Sequence, residues 1–239
     1  MPDFRYVGSE LELFAPVHTW KSYWSRRIRP FIRGEILEVG AGIGSNTPLL
    51  DLGGNERWVC LEPDSQLIAR LTENLKQTGR RTYETVCGTL QSLDASRKFD
   101  TIIYIDVLEH IEHDREELES AASRLRVGGR LIVLSPAHQW LFTPFDAAIG
   151  HFRRYNRPML RKLSPANMRI EQLTYLDSAG LALSLANLLL LRQSMPTRAQ
   201  LRFWDRCVVP ISQGLDRCFC GLLGKSIIGI WKREGDGLG

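Results

Sequence analysis

Apolar and polar residues alternate in two different rhythms through the middle of the chain. Short apolar runs typical of buried strands occur at EILEVGA (35–41), RWVCLEP (57–63), TYETVCG (82–88), FDTIIYIDVL (99–108) and RLIVLSPA (130–137). Between them, SQLIARLTENLKQTG (65–79) carries apolar residues at helical spacing and ends in a glycine. This alternation predicts parallel strands joined by right-handed helical crossovers, and hence an open, doubly wound α/β sheet.

The pattern changes after the fifth run. Two more strand-like segments, MRIEQLTYLDS (168–178) and KSIIGIWKRE (225–234), are separated by roughly 45 residues of helical character. Before the first strand, HTWKSYWSRRIRPFIRG (18–34) has aromatic and basic residues at helical spacing. We therefore expect three parts: an N-terminal helical cap over 1–34, a core over 35–178 and 225–235, and a helical insertion or lid over 179–224.

Composition narrows the class of protein. The 239 residues are 44% hydrophobic and 24% charged, which suits one sizeable core, and the net charge of +4 comes without a long basic run, so nucleic acid is not an expected partner. The five cysteines show no C-x-x-C spacing, which favours a reducing compartment. We see no signal peptide, and the longest apolar run, 179–191, is too short to span a bilayer. We expect a cytoplasmic protein.

A glycine-rich turn follows the first strand, in ILEVGAGIGSNT (36–47). Dinucleotide-binding turns have the pattern G-x-G-x-x-G, which Gly40 and Gly42 match, but Ser45 takes the third position and the third glycine is Gly44. In addition, Glu38 precedes the first glycine by two residues. A carboxylate there repels a diphosphate, so the turn suits a ligand with an ammonium group and no phosphate.

LEVGAGIGS resembles motif I of class I S-adenosylmethionine-dependent methyltransferases, whose pattern is E/D-x-G-x-G-x-G. CLEPD, FDTIIYIDVLEHIEH and LRVGGRLIVLSPA resemble the later motifs of that family in order and spacing, and LEHI is typical of members related to ubiquinone-biosynthesis enzymes. The resemblance covers 36–137, and GHFRRY is similar to a subgroup of uncharacterised bacterial members. It implies a Rossmann-like sheet, mostly parallel with an antiparallel last strand, and S-adenosylmethionine as cofactor.

The resemblance also assigns cofactor contacts. The implied residues are Glu38, Gly40, Ala41, Gly42, Gly44, Asn46, Glu62, Pro63, Thr89, Leu90 and Asp106. Glu62 would accept hydrogen bonds from both ribose hydroxyls, and Leu90 would pack on the adenine. Thr89 departs from the family, which often has an acid there for the adenine amino group; ordinary loop packing is the alternative for this loop.

Candidates for chemistry follow the fourth strand. His110 would orient the acceptor or act as a base, because its ordinary pKa lies near neutrality; a structural hydrogen bond at a helix start is the alternative. Asp106, a second catalytic candidate, forms with Glu109 and His110 a set that resembles the grouping of ubiquinone-pathway O-methyltransferases, where a divalent ion could bind a catecholic acceptor. Our prediction is a site without metal, and this set is the alternative.

A second group of candidates lies in FTPFDAAIGHFRRY (142–155), after the fifth strand. Its chemistry-bearing residues are Asp146, His151, Arg153, Arg154 and Tyr155, with His151 and Tyr155 as further catalytic candidates. Guanidinium forks recognise carboxylate or phosphate, so this loop is a candidate to hold an anionic or polyhydroxylated acceptor. An internal salt-bridge corner that fixes the loop is the alternative.

The helical insertion bears on partners. Its apolar helix, 179–191, predicts burial against the sheet or a second subunit, with a lipid-like acceptor or a membrane surface as the other interpretation. The sequence as a whole predicts methyl transfer to a small-molecule or lipid-linked acceptor, with oxygen as the accepting atom by resemblance alone. The alternative is a non-catalytic S-adenosylmethionine-binding protein. A nicotinamide-dependent reductase is disfavoured by Ser45, Glu38 and the lack of a Tyr-x-x-x-Lys pair.

Overall fold

The structure is a computed structural model, and it describes residues 10–51, 53–54, 57–79, 83–188 and 197–235. Seven strands form one sheet in the order β3-β2-β1-β4-β5-β7-β6. The strands are β1 (Glu35–Val39), β2 (Arg57–Glu62), β3 (Tyr83–Cys87), β4 (Phe99–Ile105), β5 (Leu125–Pro136), β6 (Met168–Leu176) and β7 (Ser226–Arg233).

Strand direction matches the expectation. β1 to β5 pair in parallel, and β7 enters antiparallel between β5 and β6. The doubly wound α/β sheet with an antiparallel last strand is therefore confirmed. The order reverses at β1, between β2 and β4, so the carboxyl ends of these strands open a crevice at the switch point, where ligands of such sheets bind.

Ten helices lie among the described residues. They are α1 (Glu10–Phe14), α2 (His18–Ile28), α3 (Thr47–Leu50), α4 (Ser65–Lys76), α5 (Asp114–Ser123), α6 (Pro144–Ala148), α7 (Arg157–Lys162), α8 (Ser178–Ala186), α9 (Arg198–Phe203) and α10 (Val209–Cys218). A π-helical turn, Trp204–Val208, joins α9 to α10. The helix predicted over 65–79 is present as α4. Asp64 caps its N-terminus, because the Asp64 side chain accepts from the backbone N–H groups of Gln66 and Leu67. Within the described ranges, no helix has the length and apolarity needed to span a membrane.

Two local details differ from the sequence prediction. The fifth strand begins at Leu125 rather than at residue 130, because Leu125 already pairs with Phe99 ahead of a shift in register. The loop 142–155 contains the short helix α6, which starts with a capping box: the Thr143 side chain accepts from the backbone of Asp146, and Asp146 returns a bond to Thr143.

The sheet is covered on both faces. Trp24, Trp58 and Trp204 belong to one buried cluster, formed with α2 and the α9–α10 segment, and Phe99 and Trp231 belong to the cluster on the other face. The two segments outside the core contact each other directly. The carboxylate of Asp205, in the π-helical turn, accepts from three backbone N–H groups at the start of α2. The helical segments before and after the core therefore form one layer beside the crevice.

Candidate active site

A cavity of about 1130 Å³ opens at the carboxyl ends of β1, β2 and β4. This exceeds the volume of an ordinary site for one drug-sized ligand, so it has room for two reactants. Nine of the eleven predicted cofactor residues line it: Gly40, Ala41, Gly42, Asn46, Glu62, Pro63, Thr89, Leu90 and Asp106. Among the predicted acceptor residues, His110, Asp146, His151 and Arg154 also line it.

The three glycines of the turn, Gly40, Gly42 and Gly44, have different structural roles. All three adopt positive φ, the region that favours glycine. At Gly40 a Cβ would lie 2.6 Å from the side chain of Val107, and at Gly44 a Cβ would lie 2.6 Å from Leu71 in α4. At Gly42 the nearest atom is 3.4 Å away, because this glycine faces the cavity. Gly44 thus packs the turn on α4, and it does not line the cavity, contrary to its predicted ligand contact.

Two polar groups at the turn point to a ligand. Glu62 is buried, and its two oxygens accept from the backbone N–H groups of Gly42 at 2.8 Å and Asp64 at 3.0 Å. Burial raises the pKa of Glu62. Each carboxylate oxygen keeps a second lone pair for a hydroxyl donor. Among the described residues, the buried Asn46 Oδ1 has no hydrogen-bond partner, so it is an acceptor awaiting a donor in the cavity.

Glu38 is placed away from the cavity, and this corrects its predicted role. Its Oε2 accepts from the Thr47 hydroxyl at 2.8 Å and from the indole N–H of Trp58 at 2.9 Å. Burial raises its pKa to about 7. The side chain therefore ties β1 to α3 and β2, and it is not part of the cavity lining.

Charged groups of both signs meet at the floor of the cavity. Asp106 directly follows β4 with φ of 53°, a left-handed conformation that orients its carboxylate. The side chain is open to the cavity but enclosed by protein, and this desolvation raises its pKa to about 6, against the opposing fields of His151, Lys21 and Lys225. Lys21 donates to the Ser45 hydroxyl at 2.9 Å, and burial lowers its pKa to about 8. Sequence reasoning missed Lys21, because only packing brings α2 to the glycine turn.

The loop after β3 carries the predicted adenine contacts. Leu90 is fully buried beneath the cavity wall, and Thr89 caps the short turn Leu90–Ser92 through a reciprocal pair of bonds with Ser92. Because the Thr89 hydroxyl is engaged in this cap, a ligand would contact this loop through its backbone and its apolar side chains.

Asp146 holds the loop 142–155 together through its hydrogen bonds. It is buried, and it accepts from Thr143, from His151 Nδ1 at 3.0 Å, and from Arg154 Nε at 2.8 Å and Nη2 at 2.9 Å. Burial alone would raise its pKa, but the His151 and Arg154 hydrogen bonds outweigh it and hold the pKa well below the ordinary value. Since Arg154 binds both oxygens of Asp146 through one edge of its guanidinium group, Nε and Nη2, that edge is committed to the loop. The salt-bridge corner considered as the alternative for this loop is thus present, and it holds His151 against the cavity.

His151 faces two other titratable groups across the cavity wall. Its Nε2 lies 3.9 Å from Oε1 of Glu109, a buried atom without a partner in the described structure, while Ser135 donates to the other Glu109 oxygen at 3.0 Å. The His110 ring packs edge-on at 4.5 Å between centroids, and burial, with the nearby His151, lowers the pKa of His110 to about 4. Burial also raises the pKa of Glu109 well above its usual range.

One potential metal-ligating group exists in the described part of the chain. Glu109, His110 and His151 each offer one ligand atom within 4.8 Å of the others. Asp106, part of the set considered from sequence, is not in this group, and His151 takes its place.

Two predicted residues do not reach the cavity. The Tyr155 hydroxyl is fully buried, bonded to Asp114 at 2.9 Å and to the Leu108 carbonyl at 3.1 Å. Arg153 lies 2.7 Å from Asp114 and donates to the Glu112 carbonyl at 2.8 Å. Both residues anchor the loop to the turn after β4. Tyr155, predicted as a catalytic residue, and Arg153, predicted to contact the acceptor, support the loop instead.

Comparison with known proteins agrees with this geometry. Residues 37–131 match a family model described as a methyltransferase domain. A demethylmenaquinone methyltransferase of Tropheryma whipplei is 32% identical over 131 residues, or 54% of this chain and 52% of the relative. The chain therefore spans about half the length of the curated relatives that it matches.

Solved structures share the fold at low identity. A geranyl diphosphate methyltransferase in complex with SAM superposes with a TM-score of 0.64 at 12% identity, covering 95% of this chain and 90% of the other. The [4+2]-cyclase SpnF superposes with a TM-score of 0.63 at 15% identity, covering 95% of each. The resemblance noted in the sequence is thereby confirmed: residues 37–131 are similar to a methyltransferase domain, and the chain has the class I methyltransferase fold.

Proposed function

We propose that the protein transfers a methyl group from S-adenosylmethionine to an oxygen of a small-molecule or lipid-linked acceptor, in the cytoplasm. The observation that carries the proposal is one cavity with two chemically distinct ends. The turn around Gly42 and Glu62 forms one end, and the Asp146–His151 pair forms the other. The five cysteines are free thiols, as a reducing compartment favours.

The end around the glycine turn has the groups that a charged amino acid nucleoside requires. Glu62 keeps lone pairs for two vicinal hydroxyls, and Asn46 Oδ1 takes an N–H or O–H donor. Asp106 and Lys21 supply a negative and a positive charge side by side, which complements a zwitterion. When bound, S-adenosylmethionine supplies a methyl group on a sulfonium, already activated for displacement. The protein's task is therefore to orient the acceptor.

At the other end, the proposal assigns the role of base to His151. Its Nδ1–H donates to Asp146, and this leaves the Nε2 lone pair directed to the cavity side, toward Glu109. As the acceptor oxygen gains the methyl group, its proton passes to His151 Nε2. A base held by a buried carboxylate is the usual arrangement for such a proton transfer.

His110 and Glu109 support His151. With a pKa of about 4, His110 is neutral near pH 7, and its edge-on contact limits rotation of the His151 ring. Burial raises the pKa of Glu109, which favours its neutral form and reduces the negative charge beside Asp146.

An apolar mouth supports a hydrophobic acceptor. Leu183 and Leu188 on the α8 side and Phe203 on α9 line the cavity entrance. The curated relative is named for demethylmenaquinone, a class of acceptor that would suit such a mouth. A quinone-type or other lipid-linked acceptor is therefore the first class to assay.

The test separates cofactor binding from chemistry. Calorimetric titration with S-adenosylhomocysteine should show binding, and a labelled-methyl screen of quinol, catechol and polyprenyl acceptors should show transfer. His151→Asn should lower kcat by about 10²–10⁴ without changing the affinity for S-adenosylhomocysteine. His138→Asn is the matched control, because His138 lies outside the cavity, stacked on Tyr175, at a positive φ that asparagine tolerates.

The alternatives predict different results. Tight binding of S-adenosylhomocysteine without any transfer would favour a non-catalytic binding protein, and equal turnover by wild type and His151→Asn would remove His151 as the base. The proposal includes no metal. Turnover that is abolished by a chelator and restored by Mn²⁺ or Mg²⁺ would instead assign Glu109, His110 and His151 as ligands.

A further inference from the structure

One side of the helical segment 198–218 is open to solvent. Helix α9, the π-helical turn and α10 follow one another without a break. The inner side is buried, with Leu201, Trp204 and Val209 in the core beside α2 and α8. The outer side covers none of the described protein.

Large apolar residues recur on this outer side and in the turn that follows it. We call them the apolar stripe: Phe203, Ile211, Leu215, Phe219, Leu222 and Leu223. Three of them are more than half exposed, Phe203 at 56%, Ile211 at 57% and Leu222 at 60%. Soluble surfaces seldom present so many large apolar side chains along one helix unless the surface meets something.

Arginines flank the stripe. Arg198, Arg202, Arg206 and Arg217 are exposed on the same segment, and within the described structure none of the four guanidinium groups has a hydrogen-bond or ion-pair partner. The two acids of the segment are turned inward. Asp205 caps α2, and Asp216 accepts from the backbone of Asp177 and Ser178. The exposed side of residues 198–223 thus carries four positive charges and no negative one.

We propose that this surface docks on an anionic lipid bilayer. A helix that lies in a membrane interface combines an apolar stripe with flanking basic residues, which is the arrangement found here. Anionic headgroups satisfy the unpaired guanidinium groups, while the stripe enters the acyl boundary. Because Phe203 belongs both to the stripe and to the cavity lining, the docked protein turns its cavity mouth toward the bilayer. That last step rests on the proposed function, whereas docking itself does not.

Electrostatics favours a bilayer over a second copy of the chain. In a two-fold dimer the same patch faces itself. The arginines of the two copies would then approach one another with no acid on either described surface to pair with them. An anionic bilayer offers acyl chains to the apolar stripe and negative headgroups to the arginines.

Vesicle co-sedimentation tests the proposal without an acceptor or cofactor. The full chain is mixed with phosphatidylcholine vesicles containing about 30% phosphatidylglycerol, and with pure phosphatidylcholine vesicles. We compare wild type with Arg202→Gln/Arg206→Gln and with Ile211→Gln/Phe219→Gln, none of which alters the cavity lining. Matched controls are Arg161→Gln and Val127→Gln, at exposed positions outside the segment. A cooperative thermal unfolding transition checks that each variant is folded.

We expect binding to the anionic vesicles only, and its release at about 0.5 M salt. The double arginine variant should bind roughly thirtyfold more weakly, since each arginine near such a surface contributes about fivefold. The double apolar variant should also bind more weakly, and both controls should bind like wild type.

No sedimentation with anionic vesicles, or equal binding by all variants, overturns the proposal. So does a dimer in sedimentation velocity that is lost in Ile211→Gln/Phe219→Gln, because a second copy then covers the stripe. A folded protein that docks but shows no methyl transfer refutes the proposed function and leaves docking intact.

Discussion

Asp146→Asn removes one charge from the most heavily bonded carboxylate of the candidate site. In the wild type, its two oxygens accept five hydrogen bonds, from Thr143 N and Oγ1, His151 Nδ1, and Arg154 Nε and Nη2. Asparagine offers one oxygen and one NH₂ group. If the NH₂ group takes the side of Oδ2, it faces the N–H of Thr143 and of Arg154. If it takes the side of Oδ1, it faces His151 and Arg154. The first orientation sets two donors against a donor, and the second sets Arg154 Nε against a donor and requires the other tautomer of His151.

The magnitude follows from burial. Asp146 is 1% exposed, and the side chain of Arg154 is 15% exposed, so water compensates little for the lost contacts. Breaking a buried ion pair on one side costs about 3–5 kcal/mol, a large share of the roughly 5–15 kcal/mol that stabilises a typical domain. We expect the melting temperature to fall by roughly 6–20 °C.

Thermal and urea denaturation measure this change without knowledge of the acceptor. Thr143→Val is the matched control, because it removes the Oγ1 bond and leaves the His151 and Arg154 bonds to Asp146 in place; we expect it to lower the free energy of unfolding by about 1 kcal/mol.

The pH dependence of the stability is a second check. Since the pKa of Asp146 is depressed in the folded protein, its stabilisation is complete above the unfolded pKa of about 3.9 and is lost as the pH falls through the folded value. The gap between wild type and Asp146→Asn should therefore narrow below about pH 4. An Asp146→Asn protein as stable as Thr143→Val at pH 7 would refute the view that this carboxylate holds the loop.

Three further predictions concern the other end of the cavity and the turn. Glu62→Ala should weaken S-adenosylhomocysteine binding at least a hundredfold in calorimetry, because two charge-assisted bonds of about 1.5–3 kcal/mol each are lost; unchanged affinity would remove Glu62 from the site. The affinity of wild type should fall as the pH rises through about 8, where Lys21 loses its charge, and Lys21→Met should show a weaker, flat profile over that range. Gly44→Ala should lower the free energy of unfolding by about 2–4 kcal/mol, since its Cβ overlaps Leu71 at a positive φ, whereas Gly214→Ala, with open space around it in α10, should raise it by about 0.5–1 kcal/mol in urea denaturation. Equal effects of the two alanines would contradict the packing role of Gly44.

Local patterns were sufficient to predict the frame of this protein. The alternation of apolar runs with helical segments determined the parallel strands, because burial on both faces and crossover handedness leave few other arrangements. Parallel strands end at one edge, so residues at or just past the ends of β1, β2 and β4, such as Gly42, Glu62 and Asp106, had to meet there. The spacing of the glycines predicted the turn, because positive φ and close approach are properties of a few consecutive residues.

Partners distant in sequence were decided by the tertiary structure alone. Glu38 shares the motif of Gly42, yet it points to Trp58 and Thr47, because it lies within β1, whereas Gly42 lies in the turn beyond the end of that strand. Lys21 lies 24 residues before Ser45 and reaches it only because α2 packs beside the turn.

The loop 142–155 shows the same division between sequence and structure. Its composition indicated chemistry, but composition could not divide the roles among its residues. Asp146 is buried and binds His151, and Tyr155 and Arg153 both contact Asp114. Among the candidates in this loop, His151 has a ring nitrogen toward the unpartnered Glu109 oxygen. Periodicity and turn chemistry act over a few residues and can be read along the chain. Ion pairs and burial depend on which surfaces the folded core brings into contact, and that is settled by packing in three dimensions.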